Sequence, residues 1–169
     1  VKNVFRDEEL RLYLGIVLGS IVLITWNIYG MYESLGETVR HAAFQVSSIV
    51  TTTGFATTDF DLWPTFSKAI LVCLMFIGAC AGSTGGGIKV SRFVVLFKTI
   101  AKELNSYIHP KSIKKISIDG KPVEHEVIRS INVYFITFMV VFSTSIFLIS
   151  LEGKDMVTNF TAVAATINN

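Results

Sequence analysis

Charge is scarce in this chain and is missing altogether from three long stretches. Only 17% of the 169 residues are Asp, Glu, Lys or Arg, where soluble domains carry about 25%. Residues 12–32, 69–88 and 130–151 contain none. Each window matches the roughly 20 helical residues that cross a bilayer core. A water-soluble domain is therefore excluded, and an integral membrane protein in contact with the lipid bilayer is expected. The small formal net charge of +2 excludes a nucleic-acid-binding face. With two cysteines, Cys73 and Cys80, a disulfide framework is not expected; the pair reads as small reduced hydrophobes. His41, His109 and His125 lack metal-ligand spacing, and no Ser/His/Asp, Cys/His or paired intramembrane carboxylate pattern suggests an enzyme. No charged segment and cleavage site of a signal peptide opens the chain. Val1 is not an initiator methionine and Asn169 closes no recognisable element, so a piece of a longer protein is expected.

What charge there is fixes an orientation. Twelve of the 15 Lys and Arg residues lie before the first window or between the second and third. Positive residues near spans collect on the cytoplasmic side, which places the N-terminus and residues 98–126 in the cytoplasm. Between the first two windows, Ala42, Ala43, Phe44, Val46, Ile49 and Val50 mark a short apolar helix over 38–50. At about 1.5 Å per residue it reaches only some 20 Å, too little to cross, so it dips in and returns. Thr51-Thr52-Thr53-Gly54-Phe55 follows, β-branched and ended by glycine, suited to extended backbone. Such backbone survives at membrane depth only where protein or a water-filled pathway satisfies it. Its carbonyls can replace an ion's hydration shell, and the short helix aims its partially negative end at them. The alternative reading of the same string is a surface turn.

Gly82-Ser83-Thr84-Gly85-Gly86-Gly87-Ile88-Lys89 resembles a phosphate loop but fails its spacing, because Ile88 separates Gly87 from Lys89. Four glycines in six residues, each costing about 1 kcal/mol in a helix, break the second span at 82–87. A plain helix end is the simpler alternative. Gly15 with Gly19, and Gly78 with Gly82, have the four-residue spacing of close helix packing. Asn159-Phe160-Thr161 matches a glycosylation sequon by chance. In the connection, Ile116-Ser117-Ile118, Asp119-Gly120 and Lys121-Pro122-Val123 predict a small β-hairpin.

The expected organisation is all-α, with span/pore-loop/span repeats around a cation pore. Residues 1–101 form one repeat, with spans over about 12–32 and 66–100. Residues 102–126 are the cytoplasmic connection. Residues 127–169 are half of a second repeat, with a span over about 127–151 and a re-entrant helix over about 155–167, ending before its filter glycine. A shift of 117 residues overlays the two, with Glu9 on Glu126, Gly36 on Gly153 and Val46 on Val163.

The 45–55 string, the 81–89 string and the closing Thr166-Ile167-Asn168-Asn169 resemble the membrane subunits of the Trk/Ktr/HKT superfamily of potassium transporters, Trk-type uptake systems of the bacterial inner membrane in particular. That resemblance implies four repeats around one pore, each with one filter glycine. It also implies a homodimer regulated by a cytosolic nucleotide-binding subunit, with K+ as the transported ion and no cofactor. The chain looks like the third repeat and half of the fourth. Thr51, Thr52, Thr53, Gly54 and Phe55, with Asn168 and Asn169, then belong to the filter, and K+ meets backbone carbonyls near Thr52, Thr53 and Gly54. Gly82, Ser83, Thr84, Gly85, Gly86, Gly87 and Lys89 become an intramembrane gating loop. A rival reading of a different class is a membrane-anchored assembly or sensor protein that recruits a partner through its cytoplasmic hairpin.

Overall fold

A computed structural model describes residues 7–108, 116–118 and 121–168. The helices begin where capping chemistry allows. Asp7 accepts from the Leu10 amide at 3.0 Å and opens α1, Glu8–Asn27, with Glu8 and Glu9 in its first turn. Acidic groups there complement the free amides and the positive end of the helix dipole. Ser34 caps α2, Leu35–Val50, by accepting from the Glu37 amide at 3.2 Å. A single 3-10 turn at Phe60–Leu62 leads into α3, Thr65–Phe76. After a break come α4, Val90–Ile108, then the strand pair β1, Ser117–Ile118, and β2, Lys121–Pro122. The chain continues with α5, His125–Ser150, and α6, Met156–Ile167, the latter capped by Asp155.

Among the described helices, α1 and α5 are long and apolar enough to cross a membrane. The charge-free windows do not coincide with helix ends. The first was expected at 12–32, yet α1 starts at Glu8 because Asp7 caps it there and stops at Asn27, ahead of Gly30 at φ +90°. The third span was expected at 127–151, and α5 occupies His125–Ser150. The expected second span, 66–100, is two helices separated by residues 77–89, a wider break than 82–87. The cause is a backbone pairing. Gly78 N–H donates to the Ile88 carbonyl at 2.9 Å, and Ile88 N–H to the Phe76 carbonyl at 3.1 Å. Both stems of the loop thus leave the helical path together.

β1 and β2 pair antiparallel, Ser117 with Pro122 and Ile118 with Lys121. The Asp119-Gly120 turn, the lysines at 111, 114 and 115, and Asn169 lie outside the described residues. The glycine spacing does not act as expected. A Cβ at Gly15, Gly19 or Gly82 would meet nothing within 4 Å, and Gly82 is not helical. Gly78 instead packs on the loop itself, where an added Cβ would lie 2.4 Å from the Gly86 carbonyl oxygen. Cys73 lies on α3 and Cys80 in the break, and both cysteines are free.

Two apolar clusters hold the elements together. Ile24 and Ile28 of α1, Ala42, Val46 and Val50 of α2, and Trp63, Leu71 and Leu74 leading into and along α3 form the first. The second joins Phe142 of α5 to Val163 and Ala164 of α6. Phe76 at the end of α3 packs edge-on against Phe142 at 5.4 Å and lies 6.1 Å from Phe160, so α3 contributes to both clusters. Outward faces remain apolar: Ile136, Val140 and Phe147 of α5 are 65%, 60% and 76% exposed. Surface of that character is stable against lipid or further protein.

Candidate ion pathway

The segment after α2 is held in an unusual conformation by local chemistry. Thr51 N–H closes the helix on the Ser47 carbonyl at 3.0 Å, and Thr53 N–H turns back to the Ser48 carbonyl at 2.9 Å. The Ser48 hydroxyl donates to the Phe55 carbonyl, clamping the far end of the segment. Between these ties Thr52 adopts φ +55° and Gly54 φ +77°. A left-handed β-branched residue costs about 1–2 kcal/mol, a strain typical of backbone whose shape serves a purpose. Among the described residues no hydrogen bond ends on the carbonyl oxygens of Thr51, Thr52, Thr53 or Gly54. Four successive acceptors are therefore left open.

The structure brings Asn168 to the same place. Ser48, Ile49, Thr52, Thr53 and Gly54 line an open cavity of about 210 Å³ with Met75, Ala165 and Asn168. Asn168 is also the counterpart of Thr51 under the 117-residue shift, and the backbones agree: φ −90°, ψ 2° at Thr51 and φ −100°, ψ 2° at Asn168. Side chains make the same contact in both. Thr51 Oγ1 donates to the Ser47 carbonyl at 2.7 Å, and Asn168 Nδ2 donates to the Ala164 carbonyl at 2.7 Å. Ser47 and Ala164 are themselves related by that shift. Asn168 Oδ1 is buried without a partner among the described residues. Phe55 is 70% exposed and does not line this cavity.

The glycine-rich run lies next to this segment, in a closed loop. A Cβ on Gly85 would sit 4.0 Å from Thr52 Oγ1. Lys89 Nζ donates to the carbonyls of Ser83 at 2.9 Å and Gly85 at 2.5 Å, so its ammonium gathers the loop from within. Gly87 at φ +74° lies against Gly78, whose nitrogen would be 2.9 Å from an added Cβ. Backbone touches backbone there, and only glycine permits it.

Several supporting residues were not singled out by sequence reasoning. On the far side of the extended segment His41 Nδ1 is 2.9 Å from Thr57 Oγ1, its ring stacks on Tyr32 at 4.7 Å, and Tyr32 OH accepts from Trp63 Nε1 at 2.9 Å. Glu9 Oε1 accepts from the amides of Ala81 at 2.7 Å and Ser91 at 3.1 Å. The sequon's Asn159 is buried and donates to the Lys154 carbonyl at 3.2 Å and the Ser150 hydroxyl at 3.4 Å, tying α6 to the end of α5. Only the equivalence of Glu9 with Glu126 hinted at any of these, because side-chain contacts of this kind leave no mark in sequence periodicity.

Long apolar helices paired with short ones, and a glycine break beside an open carbonyl run, make this a helical membrane protein with a candidate ion pathway. The comparisons agree. Residues 18–169 match the TrkH family model, described as cation transport protein. The chain is 37% identical over 172 residues to the Trk system potassium uptake protein TrkH of Salmonella typhimurium, covering 100% of this chain and 35% of that protein. It is 39% identical over 173 residues to the Trk system potassium uptake protein TrkG of Escherichia coli K12, with the same coverage. The crystal structure of the potassium transporter TrkH from Vibrio parahaemolyticus superposes with a TM-score of 0.88 at 34% identity, over 96% of this chain and 35% of that one. The chain belongs to the TrkH family of cation transport proteins. It spans about a third of the length of these relatives.

Proposed function

We propose that this chain supplies part of a K+ uptake pathway, with residues 51–55 as one arm of a selectivity filter, Asn168 and Asn169 entering a second, and residues 82–87 as a gate. The open carbonyls of Thr51, Thr52, Thr53 and Gly54 carry this reading. Carbonyl oxygens take the place of an ion's hydration shell without any covalent step. A residue at Gly54 must hold φ +77°, which L side chains resist. The relatives are named as potassium uptake proteins, which supports K+ as the ion. Span, short helix, extended segment and span form the pore-loop unit, repeated in part by α5 and α6.

The 12-to-3 division of positive residues supports a cytoplasmic N-terminus and a cytoplasmic hairpin in a bacterial inner membrane. Apolar exposed faces such as that of α5 are suited to lipid, to the remaining repeats and to a homodimer. The cytosolic nucleotide-binding subunit belongs to this reading on family resemblance. The test is uptake of K+ and Na+ in a potassium-starved host expressing a full-length transporter that carries this segment. Gly54→Ser is expected to lower the K+/Na+ ratio severalfold; an unchanged ratio at normal expression removes Gly54 from the filter.

A further inference from the structure

The loop between α3 and α4 is fastened from outside by a single carboxylate. Glu9 stands in the first turn of α1, 72 residues from Ala81 and 82 from Ser91 along the chain. One oxygen, Oε1, accepts from the Ala81 amide at 2.7 Å and the Ser91 amide at 3.1 Å. Ala81 immediately precedes the glycine run, and Ser91 is the second residue of α4. Both amides lack helical partners, since Ala81 lies in the break and Ser91 is among the first four residues of its helix. Hydrogen bonds onto a charged acceptor are the strong ones, so this bifurcated contact ties both ends of the loop to α1 at one point.

Among the described residues, the hydrogen bonds of residues 82–87 all run to residues of the break itself. Lys89 draws together the Ser83 and Gly85 carbonyls, and Gly78 packs on Gly86 and Gly87. Those contacts travel with the loop if it swings. The contact to Glu9 does not, because Glu9 belongs to a long helix. The same turn is braced on α4 by the ion pair between Glu8 and Lys98, and Lys98 also donates to the Ser117 carbonyl of β1 at 2.7 Å. We propose that Glu9 is a positioning residue of the gate, whose carboxylate latches residues 81–91 onto α1 and must release at least one amide when the loop moves. Glu9 acts through the loop and not on the ion. The inference rests on reading residues 82–87 as the gate.

The experiment uses the full-length transporter reconstituted in liposomes, with Glu9→Ala and Glu9→Gln made both in the intact protein and with Gly85 to Gly87 deleted. Glu9→Ala is expected to raise K+ flux severalfold in the intact protein at an unchanged K+/Na+ ratio. Glu9→Gln keeps an acceptor oxygen without charge and is expected to fall between. In the deletion background neither variant should add anything. Intact-protein flux at or below the wild-type level for both folded variants, in a system where the deletion raises flux, overturns the latch. A deletion without effect overturns the gate reading instead. The latch is then judged on the loop alone, by the rate at which Thr84→Cys is modified in a background with Cys73→Ala and Cys80→Ala. Glu9→Gln, or Glu9→Ala where it assembles, should speed that modification severalfold, and an unchanged rate overturns the proposal.

Discussion

Glycines of the same break differ in what they are for. At Gly78 a Cβ would stand 2.4 Å from the Gly86 oxygen, whereas at Gly82 it would meet nothing within 4 Å. Overpacking against backbone costs about 1–3 kcal/mol, while an open surface position changes stability by about 0.5 kcal/mol at most. Gly78→Ala should therefore lower the thermal midpoint of the purified full-length transporter by several degrees, with Gly82→Ala close to wild type. Equal behaviour of the two would mean that the contact with Gly86 is not part of the working loop. Asn168 gives a second contrast at this scale. Threonine there can restore the back-bond that Thr51 makes to Ser47, and it removes the unpartnered Oδ1; alanine can do only the latter. Asn168→Thr is expected to keep the K+/Na+ uptake ratio and Asn168→Ala to reduce it, and the reverse ranking would separate Asn168 from the filter.

At the scale of elements, the outer arm of the extended segment hangs on His41. Its contact with Thr57 and its stacking on Tyr32 fix the chain just past Phe55. One lost hydrogen bond of this kind is worth about 1 kcal/mol. His41→Ala should thus lower stability modestly in a thermal melt and weaken ion discrimination, with Gly82→Ala as the control expected to do neither. Much of this architecture is legible in the sequence. The charge-free windows locate α1 and α5, the Thr51–Gly54 string marks where α2 must end, and four clustered glycines forbid a continuous second span. What sequence could not supply is contact across distance. The break reaches from 77 to 89 because Gly78 meets Gly86 and Gly87, a pairing invisible to local periodicity; read by spacing alone, Gly78 looks like a helix-packing residue. Helix ends were missed for a related reason, since charge marks what sits in lipid while caps such as Asp7 decide where a helix starts.

For the molecule as a whole, the 117-residue spacing recurs in the helices. α1 and α5 begin 117 residues apart, as α2 and α6 end 117 apart, yet α5 runs six residues longer before its turn. The chain matches about a third of its relatives, and a carbonyl ring around an ion needs contributions from all sides. Reconstituted by itself, this chain is expected to give no K+ flux above empty liposomes; robust saturable flux would mean that copies complete the ring between them. On this reading an ion sits on the open carbonyls after α2. Anomalous scattering from Rb+ or Tl+ soaked into crystals of a full-length transporter carrying this segment reads that directly. The expected result is a peak in contact with the carbonyl oxygens of Thr52, Thr53 and Gly54; ordered cation peaks elsewhere along the pathway, with none at these oxygens, would contradict it.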